Sequence, residues 1–312
     1  MEFTRRAVID VGTNSVKLLV ADVAGREVIP VLEESKQTRL GKDFYETHFL
    51  QPEAIARTAG SVALLADNAR AQKAAAIRVV ATSAARDAKN PGDLTAAIHA
   101  ASGLATEIIS GEQEAEWAFR GVTTEPRFAR AALLILDVGG GSTEFILGGN
   151  GQSHLARSFP IGTVRLLEKF PHGDPPTAAD FNVCREWLLA MLRAEVCPQL
   201  EPALHGAAAT GPLQLVGTGG TTSLLGRMEL RLGQFDREAI EHVRLSLDRI
   251  KVLREQLWSL PLVEREQIPG LPKNRADVIL TGVAIYEAVM DVFGFEQLSI
   301  STRGLRFAAV MD

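Results

Sequence analysis

Residues 135–147 read ILDVGGGSTEFIL, and the fold turns on how this stretch is parsed. An apolar run, Ala131 to Leu136, delivers Asp137; the glycines 139–141 follow, and Ser142, Thr143 and Glu144 precede a second apolar run. Two apolar runs of strand length separated by glycine read as strand, tight turn, strand. Glycine has no side chain and tolerates positive φ, so consecutive backbone N–H groups can close around an anion. The flanking carboxylates would repel a phosphate unless a divalent cation lay between them, which makes Asp137 and Glu144 candidate Mg²⁺ ligands. An ordinary glycine hairpin is the plain alternative.

The same unit occurs a second time. Val8 to Val20 (VIDVGTNSVKLLV) aligns without gaps on Ile135 to Leu147, with Asp10 on Asp137, Val11 on Val138, Gly12 on Gly139 and Ser15 on Ser142. Such repetition predicts two α/β domains of related topology, each aiming a glycine hairpin at a shared cleft. The expected division is 1–124 and 125–312, with the boundary in the segment around Pro126 and the last helix at liberty to pack back on the first domain.

Composition narrows the class. The chain has 312 residues, 46% of them hydrophobic and 23% charged, which is ordinary globular material and enough for two domains. No apolar run reaches the ~20 residues that a membrane span needs. Cys184 and Cys197 have no CxxC spacing and suit a reducing compartment, and the expected location is the cytoplasm. A net charge of −5 argues against a general nucleic-acid or membrane-surface binder, so a polyanionic substrate must be held by local donors. The six histidines show no ligand spacing, and no G-x-x-x-x-G-K-[ST] is present.

Between and beyond the hairpins the chain alternates strands and helices. A strand is expected at 27–36, a helix at 52–71 with Pro52 at its entry, and a buried strand at 76–81. That strand opens into Thr82, Ser83 and, one turn on, Arg86, hydroxyls and a cation placed to grip phosphate oxygens; helix capping by Thr82 or Ser83 is the plain alternative. Ser110 reads as the N-cap of a helix opening EQEAEW, where Glu112, Glu114 and Glu116 all suit the helix dipole. Glu114 borders the apolar stripe Ala115, Ala118, Phe119 and Val122, and a carboxylate beside an apolar face is a candidate base, although periodicity does not choose among the three. Later come a helix over about 178–196, a short strand at 213–216 running into Gly217-Thr218-Gly219-Gly220-Thr221-Thr222, a helix over 237–257, a helix over 276–292 and a strand at 297–300. The turn at Gly219 and Gly220, at a helix N-terminus, is a third candidate phosphate or nucleotide contact.

Taken in order, DVGTNSVKLL (10–19), ATSAAR (81–86), EIISGEQEA (107–115), LDVGGGSTEF (136–145), FPIGTVRL (159–166), GTGGTT (217–222), RADVILTGVAI (275–285) and STRGLR (301–306) resemble the exopolyphosphatase/guanosine pentaphosphate phosphohydrolase family. This family lies within the actin-like ATPase (sugar kinase/heat-shock/actin) superfamily. The resemblance runs over nearly the whole chain and implies two ribonuclease-H-like domains with the active site in the cleft between them. Its helix motif usually reads SG-x-E-E-A, and the second glutamate, Glu114 here, is implied to activate the attacking water; Gln113 replaces the first. Asp10, Asp137 and Glu144 are implied around Mg²⁺, or another divalent cation such as Mn²⁺. Asn14, Ser15, Thr82, Ser83, Arg86, Ser142 and the backbone of Gly139, Gly140 and Gly141 are implied to hold terminal phosphates. The chain looks like the short, two-domain form. The expected reaction is hydrolysis of the terminal phosphoanhydride of inorganic polyphosphate, with guanosine pentaphosphate as the alternative substrate. A small-molecule kinase and a non-hydrolytic sensor of guanosine tetraphosphate or polyphosphate are rivals of other classes, and a homodimer is the assembly left open.

Overall fold

The computed structural model describes residues 2–208 and 212–312, and the side chains of all of these except 205–208. Strands β1 (Thr4–Val11), β2 (Ser15–Ala24) and β3 (Glu27–Gln37) form a meander. Helix α1 (Pro52–Ala71), strand β4 (Ala76–Ala81), the short helix α2 (Ser83–Asp87), α3 (Pro91–Ser102), β5 (Thr106–Ile108) and α4 (Gly111–Val122) follow. The pattern then repeats with β6 (Leu133–Val138), β7 (Thr143–Gly149), β8 (Gln152–Phe159) and α5 (Thr163–Lys169). Next come α6 (Ala178–Met191), a π-helical turn at Leu192–Val196, α7 (Cys197–Ala208), β9 (Gln214–Thr218) and α8 (Gly219–Leu230). The chain continues through α9 (Arg237–Glu241), β10 (Arg244–Ser246), α10 (Leu247–Ser259), α11 (Leu262–Arg265), α12 (Ile279–Phe293), β11 (Gln297–Ile300) and α13 (Leu305–Ala309).

Two compact units result, one formed by residues 1–125 together with Arg303–Asp312, the other by Pro126–Thr302. The first unit has a sheet of order β3-β2-β1-β4-β5; the second has β8-β7-β6-β9-β11-β10. In both, the central strand pairs antiparallel with the hairpin strand on one side and parallel with a helix-connected strand on the other. The repeat of the hairpins is therefore a repeat of whole sheets, and β10 is an added edge.

The central strands are apolar on both faces because helices cover both. Leu133 to Leu136 are completely buried, as are Val8 and Ile9. In β1 and β6 the penultimate residue is the aspartate, Asp10 or Asp137, and each is half-buried. Parallel strands feed loops at their carboxyl ends, where a doubly wound sheet presents ligands. Thr82 and Ser83 leave β4, Ser110 follows β5, and Gly219 and Gly220 leave β9 from such ends.

One expected element is corrected. In place of a single helix over 237–257, α9 ends at Glu241, β10 pairs antiparallel with β11, and α10 starts afresh with the Ser246 hydroxyl accepting from Arg249 N at 3.1 Å. Val243, Leu245 and Leu247 alternate at strand spacing, and the local Ser246 cap allows a new helix start that the longer apolar period conceals. The expected helix over 178–196 also continues through its π-turn into α7.

Candidate functional site

In the first unit, the turn after β1 closes through Gly12 N donating to Ser15 O at 3.0 Å. The loop after β3 packs on it. Thr38 N and Arg39 N donate to Asn14 O at 3.1 and 3.0 Å, and Gly41 N donates to Thr13 O at 2.8 Å. Asn14, Ser15, Thr82 and Ser83 are all buried, and the Ser83 hydroxyl oxygen has no hydrogen-bond partner. Neither Thr82 nor Ser83 caps α2 through its side chain, so the plain structural reading of these hydroxyls is not realised. Asp10 stands opposite Lys17 in the β1–β2 register. Its Oδ1 is buried without a partner; burial pushes the carboxyl above its ordinary range, and the charges of Lys17 and Arg306 oppose that push.

Helix α4 carries the three candidate glutamates. Ser110 caps it by accepting from Gln113 N at 3.1 Å. Glu112 is exposed and Glu114 is half-buried. Arg86 reaches Glu114, Nη1 to Oε2 at 2.9 Å, so a residue expected on phosphate meets the residue expected as base. The far end of α4 is tied to the returning segment. Trp117 Nε1 donates to Asp312 Oδ2 at 3.0 Å, Arg120 pairs with Asp312, and a Cβ on Gly121 would collide with the carbonyl of Gly304.

In the second unit the turn has the same closure, with Gly139 N donating to Ser142 O at 2.9 Å. Its carbonyls are then tied to one side. Gly139 O accepts from Thr163 N at 3.0 Å, Gly140 O from Val164 N and Arg165 N at 2.8 and 3.1 Å, and Gly141 O from Arg165 Nε at 2.7 Å. In a trans peptide the N–H points away from the C=O, so the N–H groups of Gly140, Gly141 and Ser142 face the opposite side together. Any side chain at Gly162 would collide with the backbone of Gly140 and Gly141, which is why the segment before α5 must be glycine there. Gly162 and Arg165 are absent from the expected site; the FPIGTVRL motif was the signal, but its partner, the glycine turn, lies more than twenty residues earlier.

Asp137 and Glu144 are direct cross-strand partners. Glu144 is 1% exposed, and its Oε1 accepts from the Ser142 and Ser158 hydroxyls, both at 2.7 Å. Ser142, expected on phosphate, is thus bonded to a carboxylate. Gly219 has φ +83, and a Cβ there would run into Asp137 Oδ1. Thr218, the β9 partner of Asp137, is buried with an unpartnered hydroxyl, and Thr221 Oγ1 donates to Val138 O at 2.9 Å. Tyr286, beneath this turn, is hydrogen-bonded to Thr222, and burial raises its phenol far above the ordinary range.

The facing carboxylates of Asp137 and Glu144 suit a hard divalent cation such as Mg²⁺, which binds through one or two carboxylates with water and phosphate oxygens completing its shell. Like charges directly opposite one another on adjacent strands destabilise a sheet, and a buried carboxylate is costly unless compensated. Glu144 accepts two hydroxyl bonds, and Asp10 Oδ1, buried without a hydrogen bond, lies in the field of Lys17 and Arg306. Among the described residues no group of three or more His, Cys, Asp or Glu side chains is arranged to hold a metal.

The Ppx/GppA phosphatase family model matches residues 19–311. Exopolyphosphatase 2 of Mycobacterium tuberculosis is 36% identical over 318 residues, covering 96% of both chains. The guanosine-5'-triphosphate,3'-diphosphate pyrophosphatase of Vibrio cholerae is 30% identical over 98% of this chain but only 58% of its own length. An exopolyphosphatase crystal structure from Cytophaga hutchinsonii superposes with a TM-score of 0.84 at 28% identity, covering 98% of this chain and 96% of that one. The shared architecture is the α/β actin-like ATPase fold, with its two mixed sheets flanked by helices. No helix among the described residues is long and apolar enough to cross a membrane.

Proposed function

For this chain, which belongs to the Ppx/GppA phosphatase family, we propose exopolyphosphatase activity, the hydrolysis of the terminal phosphoanhydride of inorganic polyphosphate to release orthophosphate. The observation that carries the reading is the glycine turn at 139–141, whose carbonyls are held by α5 so that its N–H groups face one way, with two carboxylates opposed beside it. A hairpin built only for structure would need neither the carbonyl ties nor the carboxylates.

The residues then take roles. Backbone N–H groups of Gly140, Gly141 and Ser142 donate to oxygens of the terminal phosphate, joined by Asn14, Ser15, Thr82 and Ser83, with Gly219 and Gly220 contributing at the head of α8. Asp10, Asp137 and Glu144 are the carboxylates that would hold a divalent cation, Mg²⁺ or Mn²⁺, directly or through its bound water. When bound, the cation neutralises charge on the phosphoryl oxygens that would otherwise oppose nucleophilic attack. Glu114 takes a proton from the water that attacks in line with the departing chain oxygen. Orthophosphate leaves, and the shortened polyphosphate keeps the bridging oxygen as its new terminus. The reading places the protein in the cytoplasm, acting on a soluble polyanion.

The full-length match with an exopolyphosphatase favours polyphosphate. The Vibrio cholerae relative makes guanosine pentaphosphate, cleaved at its 5′ terminal phosphate, the second substrate to test. Phosphate release from each, with purified protein and Mg²⁺, decides between them; release from neither overturns both. Glu114→Gln should lose roughly 10²- to 10⁴-fold in kcat, the usual contribution of a general base, and retain substrate binding. Near-normal turnover in that variant would remove Glu114 from the mechanism.

A further inference from the structure

Arg86 leaves the carboxyl end of β4, and the first unit holds that end rigidly. Thr82 N donates to Val11 O at 3.2 Å, Ile109 N to Ala81 O at 3.1 Å, and Arg86 N to Thr82 O at 3.0 Å. From this frame one nitrogen, Nη1, donates both to Ile109 O at 3.2 Å and to Glu114 Oε2 at 2.9 Å. The two side chains are 23% and 12% exposed, so the pair is shielded more than a surface ion pair. The backbone bonds tie the ends of the neighbouring strands β1, β4 and β5 together, and the guanidinium fastens the carbonyl that follows β5 to the carboxylate on α4.

Resting on the reading of Glu114 as base, we propose that Arg86 is a positioning residue, which acts by fixing the Glu114 carboxylate for proton transfer from water. Glutamate has three side-chain torsions, and only a narrow part of their range places an oxygen within hydrogen-bond reach of an attacking water. A misplacement of about 1 Å typically costs on the order of 10²-fold. α4 is clamped at its far end by Gly121 against Gly304 and by Trp117 and Arg120 on Asp312. That clamp fixes the helix axis; Arg86 fixes the side chain. The rival role, a grip on phosphate, uses the same charge but not the same geometry. A lysine keeps the charge, yet its shorter, non-planar ammonium does not reproduce a guanidinium that satisfies a carbonyl and a carboxylate from one rigid plane.

Substitution separates the two roles. Wild type, Arg86→Lys, Glu114→Gln and the double variant are compared in phosphate release from polyphosphate, with kcat and KM measured separately and thermal melts recorded. The expected result is that R86K lowers kcat roughly 10- to 100-fold with KM within about threefold. In the E114Q background, R86K should change kcat by less than about threefold, because the group it positions is already gone. A tenfold or larger rise in KM at near-normal kcat, or losses that multiply in the double variant, overturns the proposal and leaves Glu114 as base. An E114Q enzyme with near-normal kcat overturns the base assignment and this proposal together. If R86K melts well below wild type, Arg86→Gln, which can still donate to one of the two acceptors, replaces it in the same cycle.

Discussion

Gly219→Ala tests the link between a backbone torsion and cation binding, because the structure divides its cost into two parts. Gly219 sits at φ +83, where an L-residue is disfavoured by roughly 1–2 kcal/mol. Its new Cβ would also meet Asp137 Oδ1 well inside van der Waals contact, so the end of that carboxylate must move aside. Gly294 supplies the control, since it has φ +72 with nothing within 4 Å of a built Cβ, so that Gly294→Ala isolates the torsional part. Urea unfolding of the two variants should therefore agree to within about 1 kcal/mol, because the colliding atom is the end of a side chain that can turn away. The collision is relieved either by moving Asp137 or by moving the head of α8, and both displace a proposed ligand-holding group. Phosphate release titrated with Mg²⁺ should then need about tenfold or more cation for half-maximal rate in G219A, for a displacement well under 1 Å. In G294A the Mg²⁺ dependence should match wild type. An unchanged Mg²⁺ midpoint in G219A would refute the argument that Gly219 is glycine so that Asp137 can occupy its place.

Three further outcomes follow from particular bonds. Ser158→Ala removes one of two hydroxyl donors to the buried Glu144 Oε1 and should cost about 1–3 kcal/mol in urea unfolding of the metal-free protein; no measurable loss would show that Glu144 is compensated elsewhere. Arg165→Ala frees the Gly141 carbonyl and should raise KM for polyphosphate roughly tenfold while leaving the thermal midpoint within a few degrees; an unchanged KM would remove α5 from phosphate binding. Asp10→Asn should abolish most phosphate release yet raise the melting temperature of the metal-free protein at pH 7–8. The sign follows from the raised folded-state pKa: ionising Asp10 costs stability as pH rises through that value, and the cost disappears towards the unfolded value of about 3.9, so the two proteins should melt together near pH 4. Coincident melts at pH 8 would contradict the burial argument.

The hairpins were legible because their information is local and repeated. Asp, a following glycine and a serine at fixed spacing within two apolar runs specify a strand-turn-strand unit wherever they occur. The sheets built around them followed from that, since the helices between strands carry clear apolar periods. What remained hidden depends on partners distant in sequence. The Arg86–Glu114 bond joins residues 28 apart on different helices, and the binding of Gly140 O by Val164 N depends on how α5 docks. Neither leaves a spacing pattern. The expected helix over 237–257 failed for a different reason: Ile240, Val243, Leu247 and Ile250 satisfy a helical period, and only pairing with β11 reveals that the middle of the run is a strand.

The return of residues 303–312 to the first unit also sets an order of assembly. Leu305, Phe307, Ala308, Ala309 and Val310 complete a core cluster with Val8, Leu19, Val80 and Trp117, and Gly304 is the seat for Gly121 on α4. During synthesis these residues are made after the whole of Pro126–Thr302. The second unit has all its strands before then, whereas the first waits for a segment almost two hundred residues downstream of α4. The helix bearing Glu114 therefore completes its packing only after α13 has been made. A nascent chain can form the glycine turn at 139–141 before α4 is clamped, and the proposed base would be fixed in place only once the closing helix has been made.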